Sequence, residues 1–322
     1  MLRMNELSGA RKILYLNGAA GISGDMFLGA LTDAAVSLDR NFSLAERFAK
    51  IKLFEPGEVE LSVSKETRGG ITGVKVGVIT PDEREHDSHG HHGHHDHHEN
   101  SARNLSGILE TLAHSDLPSA VRDMSSLAFT LLAEAEAEVH GVTPEEIHFH
   151  EAGAADSIAD IVGAMLLMDH FGWPEVISSP INVGSGTVKC AHGVLPVPAP
   201  ATSLLLKDMK IFSSGIPIER TTPTGALLLR ALSGPDGFRD LPAGRVLCVG
   251  TGLGSKDTPD IPNALRVMLI EPEDAQTGRF LRDEPSLVEA NIDDMNPQDF
   301  ARAADLMLEQ GALDVWRESI LM

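Results

Sequence analysis

The sequence predicts a mixed α/β fold: one main domain carrying a His-rich disordered insertion, followed by the start of a second α+β domain. Three observations predict it. Apolar residues recur with helical period in several segments, short apolar or alternating runs stand between those segments, and glycine and proline punctuate the junctions. Hydrophobic residues make up 42% of the 322 and aromatics only 4%. The core must therefore be built from Ala, Val, Ile, Leu and Met.

The elements follow in chain order. KILYLN at 12–17 reads as a buried strand, and GAAGISGD leads from it into an apolar-periodic helix over about 25–36. A second helix is expected at 44–51. Alternating stretches at 58–64 and 73–80, joined through Thr67-Arg68-Gly69-Gly70, suggest a pair of strands. PDEREHDSHGHHGHHDHHEN follows, with no apolar residue between Pro81 and Ser101. Such a tract cannot pack a core, so a solvated, mobile insertion is expected over 81–101.

Helices resume at 105–113 and 118–140, the second stopped by Gly141, and a third runs over about 156–171. Residues 176–183 read as a strand, GSGTVKCAHGVLPVPAPAT as a glycine- and proline-punctuated loop, and 201–207 as a helix. Pro223 at a first helical position, with Thr222 or Thr221 as cap, places a short helix at 223–232. Strands at 245–250 and 264–270 complete a main domain over 1–270. The polar segment 271–286 is a linker. Beyond it LVEANIDD reads as a strand, PQDFARAADLMLEQGA as a helix and ALDVWRESILM as strand-like, the beginning of an incomplete domain over 287–322.

Charge narrows the function classes. Lys+Arg 26 against Asp+Glu 47 gives a net −21, which argues against a general nucleic-acid binder and favours cations as partners. No apolar run approaches the roughly 20 residues of a membrane span, and the N-terminus lacks a signal-peptide pattern. Cys190 and Cys248 cannot build a disulfide framework for a chain this size. A reducing, cytoplasmic location is expected.

Of the 14 histidines, eight fall in one tract: His86, His89, His91, His92, His94, His95, His97 and His98. Neutral imidazole suits nickel, copper, zinc and cobalt. Ligands one to three residues apart in a flexible loop can converge on one ion, and Asp87, Asp96 and Glu99 lower the cost of concentrating a dication there. The plainer reading is a low-complexity linker. Affinity order cannot choose the metal.

A second constellation is HFHEAGAADSIAD. If residues 147–151 are extended, His148 and His150 share a face, Glu151 follows, and Asp156 and Asp160 stand one helical turn apart. Imidazoles beside carboxylates can bind metal or act as acid and base. They can equally be hydrogen-bonded near the core, with Asp156 as a helix cap. A third is Lys189-Cys190-Ala191-His192, where Lys189 could lower the Cys190 pKa or meet an anion; buried cysteines are commonly inert. In GAAGISGD the backbone amides around Gly21, Ser23 and Gly24 could hold an anion, although Asp25 would repel a phosphate unless a cation intervened, and a tight turn is the default. GTGLGSKD is no dinucleotide loop, because Pro259 and Pro262 argue against a following helix. No HExxH or comparable ligand triad supports a zinc hydrolase.

Five motifs together carry a resemblance: YLNGAAGISGDMFLGAL, EEIHFHEAGAADSIADIVGA, SSPINVGSGTVKCAHGVLPVPAPAT, TPTGALLL and NIDDMNPQ, in that order around a His-rich insertion. The sequence resembles the LarC family, the nickel-insertion proteins of nickel-pincer nucleotide cofactor synthesis, from Tyr15 to Met322. The resemblance implies a cyclometallase of the lyase class. It would place nickel into pyridinium-3,5-bisthiocarboxylic acid mononucleotide through nickel–sulfur and nickel–carbon bonds, consuming CTP with Mg or Mn. It implies nickel binding by His86–His98, and a CTP site in a C-terminal domain of which only the start, from about Leu287, is present. A separately encoded C-terminal part, joined by frameshifting in some members, is one implied partner, and the 322-residue form is expected to lack a complete CTP site and activity of its own. Family members usually carry Asp where this chain has Asn17.

Within that reading His86–His98 recruit nickel. His148, His150, Glu151, Asp156, Lys189, Cys190 and His192 are the candidates for transfer and substrate contact, and Gly21, Ser23, Gly24 and Asp25 for cofactor binding. The rival is a non-catalytic nickel store or metallochaperone in which the loop is the whole function. The sequence leaves the sheet order open, and a homo-oligomer is compatible with it.

Overall fold

The computed structural model describes residues 12–54, 58–79, 104–149, 155–190, 192–256, 258, 261–273, 288–292 and 294–319. The His-rich tract, His150 and Glu151 lie outside them. Two compact units divide the chain, Met1–Glu273 and Asp274–Met322.

The first unit is mixed α/β. Among the described residues its strands are β1 (Ile13–Asn17), β2 (Glu60–Arg68), β3 (Ile71–Ile79), β4 (Glu175–Ser178), β5 (Ile181–Asn182), β6 (Thr187–Cys190), β7 (Gly193–Pro196), β8 (Ile211–Phe212), β9 (Gly244–Leu253) and β10 (Ala264–Pro272). Six form one sheet in the order β2-β3-β9-β10-β1-β4. β1 runs antiparallel to β10, with Ile13 opposite Ile270, and parallel to β4. β2 and β3 form a hairpin whose turn places Gly69 and Gly70 at φ +51 and +81, a region that glycine enters without the Cβ clash.

Strand alternation sorts the faces. Leu14 and Leu16 of β1 and Leu265, Val267 and Leu269 of β10 join the main core under the helices. Ile13, Tyr15, Ile177 and Ile270 make a small apolar cluster of their own. The helices of this unit are α1 (Gly24–Leu38), α2 (Leu44–Ala49), α3 (Leu105–His114), α4 (Ser119–His140), α5 (Ala155–His170), α6 (Pro200–Leu205) and α7 (Pro223–Leu232). Side-chain oxygens of Ser43, Asn104 and Thr222 accept from backbone N–H groups in the first turns of α2, α3 and α7, as N-cap chemistry requires. α1 is buried nearly all round, with Met26, Phe27, Leu28, Ala30, Leu31, Ala34 and Ala35 at 1% exposure or less. That is the signature of a central helix: α1 lies between the sheet, at β9 and β3, and α5.

Several elements depart from the sequence reading. The strand expected at 176–183 is broken by Ser179-Pro180 into β4 and β5, because proline has no N–H for a ladder. The punctuated stretch after Gly186 contains the β6–β7 hairpin instead of being loop throughout. β9 continues through Gly250 to Leu253, three residues beyond the strand expected at 245–250.

In the second unit α8 (Pro297–Glu309) begins at the Asn296 cap, whose side chain accepts from Gln298 N. The described residues 288–292 and 312–319 form no strand, since apolar alternation alone makes none without a partner edge. Among the described residues no helix is long and apolar enough to cross a membrane.

Candidate functional site

The chain leaves β1 through a 3-10 turn, Gly18–Ala20, in which the Asn17 side chain accepts from Ala19 N. The next residues are held by a segment two hundred positions away. Ile22 N donates to Arg220 O at 3.1 Å and Thr222 N to Ile22 O at 3.1 Å. Glycine is needed at this crossing: Gly21 has φ +82, and a β-carbon there would stand 2.1 Å from Arg220 O. One at Gly225 would stand 2.1 Å from Ile22 O. The GISGD loop is therefore clamped to the start of α7, and α1 begins at a fixed point.

Four polar side chains meet at that point. Asp25, in the first turn of α1, accepts from the Ser23 hydroxyl through Oδ1. Its Oδ2 accepts from Lys75 Nζ at 3.3 Å and from Ser255 Oγ at 3.1 Å. Lys75 Nζ also donates to Ser255 Oγ at 2.7 Å, closing a triangle. Asp25 and Lys75 retain side-chain exposures of 23% and 21%, so the ion pair is sheltered but reachable.

Asp160, from α5, is the fifth group. A β-carbon at Gly24 would stand 2.4 Å from Asp160 Oδ2 and 2.9 Å from Thr224 Cγ2, so glycine at this position is what admits the carboxyl to the α1 N-terminus. Loss of solvent raises the Asp160 pKa well above the usual carboxylate value; Asp25 and then Asp156 raise it further, and Lys75 opposes them. Two carboxylates that act on each other, one of them paired with a lysine, form a place where a proton can be held or taken.

The raised value makes a stability prediction. Below the ordinary aspartate pKa of about 3.9 the carboxyl is neutral in both folded and unfolded chains. As pH rises toward the folded pKa, the unfolded carboxyl ionises freely while the folded one resists, so the native state loses stability. Asp160→Asn never ionises. Its melting temperature should match the wild type at acid pH and exceed it by a margin that widens as pH rises. A margin independent of pH in paired melts would contradict this.

The other sequence candidates fall in different places. His148 is exposed between buried Ile147 and Phe149, as alternation required, and it bridges Asn104, the residue that caps α3. Asp156 is exposed in the first turn of α5, accepts from Ser157 N at 2.7 Å, and lies close enough to Asp160 to act on its charge. Lys189 and Cys190 end β6, and His192 follows in the turn to β7. The His192 ring meets that of His140, at the end of α4, with centroids 5.0 Å apart. Both cysteines are free, and burial pushes the Cys248 thiol up. Among the described residues no three His, Cys, Asp or Glu side chains converge as a metal centre. Lys75, Ser255 and His140 are not among the site residues expected from the sequence, because they reach their partners only through the fold; Ser255 stands in GTGLGSKD, which is weighed there only as a dinucleotide loop.

The family model for nickel insertion proteins matches residues 14–322. The chain belongs to that family. A relative from Akkermansia muciniphila, called pyridinium-3,5-bisthiocarboxylic acid mononucleotide nickel insertion protein, is 42% identical over 97% of this chain and 72% of its own length. Relatives with the same name from Clostridium kluyveri and Thermotoga sp. strain RQ2 are 39% and 40% identical, each over 97% of this chain and 74% and 73% of their own lengths. No solved structure matches. For a nickel insertion protein the cation-favouring charge of −21 and the sheltered carboxylate–lysine cluster are fitting surroundings, since nickel is here the cargo.

Proposed function

We propose that this chain inserts nickel into pyridinium-3,5-bisthiocarboxylic acid mononucleotide, and that the Asp25–Lys75–Ser255 triangle with Asp160 is where the organic substrate is worked on. The observation that carries the assignment of site is the meeting of the Asp25–Lys75–Ser255 triangle with Asp160 at the glycine-opened start of α1. The substrate's two thiocarboxylates flank the ring carbon between positions 3 and 5. When Ni²⁺ bonds to that carbon and to the two sulfurs, the carbon loses its hydrogen as a proton. Lys75 meets an anionic thiocarboxylate or phosphate, and the Asp25–Asp160 pair takes the ring proton. An acceptor whose pKa is lifted toward the working pH serves this better than an ordinary surface aspartate.

His86–His98 recruit the metal in this reading, and His148, His150, Glu151, Asp156, Lys189, Cys190 and His192 are the candidates for its transfer to the ligand. Gly21, Ser23, Gly24 and Asp25 hold the loop against which the mononucleotide rests. CTP with Mg or Mn enters through the family resemblance alone. The first turn of α8 carries Asp299, which repels a triphosphate rather than cradling it, so no step is assigned to it. The protein works as a cyclometallase in the cytoplasm, where its two thiols stay reduced.

Incubation of the chain with Ni²⁺, the pyridinium mononucleotide and Mg-CTP, with the C-terminal part that the resemblance implies supplied separately, should yield the nickelated ligand by mass spectrometry. No product, together with no heat of binding for the ligand in calorimetry, would favour a nickel store instead. Deleting residues 86–98 should remove several nickel ions per chain in equilibrium dialysis while leaving ligand binding intact. Unchanged nickel stoichiometry would remove the recruitment role.

A further inference from the structure

His140 and His192 come from separate elements and are brought ring to ring by the fold. His140 is the last residue of α4, and Gly141 ends the helix in the left-handed region at φ +68. His192 stands in the turn between β6 and β7, two residues after Cys190. Both are exposed, so apolar burial does not account for their meeting. Their ring centroids lie 5.0 Å apart with the planes inclined at 41°.

That separation has a chemical reading. With metal–nitrogen bonds of about 2.0–2.1 Å, two imidazoles on adjacent positions of one ion have ring centres roughly 4.5–5 Å apart. Parallel stacking would bring the planes closer to coplanar than 41°. The helix end adds a favourable field, because the carbonyls of the last turn of α4 carry partial negative charge and stabilise a cation beside them. Imidazole is also a ligand that nickel accepts well.

We infer that His140 and His192 form a two-imidazole binding site for a divalent transition-metal ion, distinct from the His-rich tract and from the Asp25–Lys75 cluster. Among the described residues no group of three or more His, Cys, Asp or Glu is found there, so the site is proposed on the two imidazoles alone. Since nickel is the cargo of the proposed function, the inference rests on that reading for the choice of metal alone.

The test uses Ni²⁺ alone, with the full chain in which His86, His89, His91, His92, His94, His95, His97 and His98 are each changed to Asn to remove the competing tract. Equilibrium dialysis should find a remaining site that His140→Ala or His192→Ala weakens at least about 10-fold, since losing even an outer-shell partner commonly costs roughly 10–100-fold. The double variant should lose little more than either single one, because both ligands serve one ion. Co²⁺ bound at the site should show d–d bands that vanish in both variants. Thermal melts of each variant separate ligand loss from unfolding. Unchanged nickel affinity in both folded variants, or losses that add independently, would overturn the site. A chain that makes the nickelated product yet shows no effect of His140→Ala refutes the site and leaves the function standing. One that binds nickel at the pair and makes no product does the reverse.

Discussion

Gly252→Ala should destabilise the first unit by about 3 kcal/mol, on the order of 100-fold in its folding equilibrium, at the upper end of what overpacking costs. α1 rests on β9 at the closest approach in the fold. A β-carbon at Gly252 would stand 1.8 Å from Met26 O and 2.4 Å from Ala30 N. At Gly250 it would stand 2.0 Å from Ala30 O. The helix answers with a glycine of its own: at Gly29 a β-carbon would lie 2.4 Å from Val74 O and 3.1 Å from Gly252 Cα.

All the obstructing atoms at Gly252 belong to backbone, so no rotamer change relieves them. The helix must lift, and the packing of Phe27, Leu31 and Ala34 beneath it is lost. Gly141→Ala is the control. It has φ +68 and nothing within 4 Å of the added carbon, so it suffers only the backbone penalty of about 1–2 kcal/mol. Urea melts of the two variants should separate them clearly. Equal midpoints for wild type and Gly252→Ala would show that α1 is not held where the glycines place it. Because α1 also carries Asp25, the same variant should lose insertion activity before it loses its fold.

These glycines show where sequence reading stops. Helical periodicity found α1, α3, α4, α5 and α7 within a residue or two, because a buried stripe leaves its period in the chain. Thr222 and Pro223 marked the start of α7 through local cap chemistry. GTGLG was read as the end of a strand, since glycine ordinarily marks turns; here glycine is in the strand because a helix lies against it, and that fact belongs to the partner. The β6–β7 hairpin was hidden because its glycines and prolines read as loop punctuation; Gly193 turns the hairpin at φ +97 with nothing within 4 Å of an added β-carbon. Lys75 could not be placed from the sequence, since its partners Asp25 and Ser255 are 50 and 180 positions away. Tertiary polar clusters leave no local spacing, so the loop motif was legible while the lysine that completes it was not.

Lys75→Met and Asp25→Asn should each slow nickel insertion by about 100-fold, the lower end of what a positioned acid–base group contributes, and they should move its pH profile in opposite directions. In the proposed reaction Asp160 must be ionised to take the ring proton, so the rate climbs as pH rises through its raised pKa. Lys75 lowers that pKa. Without the ammonium, the Asp160 charge faces Asp25 and Asp156 uncompensated, and the rising limb should shift to higher pH. Asp25 raises the pKa through like charge. An amide in its place removes the repulsion, and the limb should shift to lower pH. A residue that merely held the loop in place would slow the reaction without moving the limb, so the paired displacement separates proton transfer from scaffolding. Initial rates of nickelated product measured across pH supply the profiles. If both variants leave the limb where the wild type has it, the proton leaves by another route. The Asp25–Lys75–Ser255 triangle would then be a clamp on the loop and no part of the chemistry.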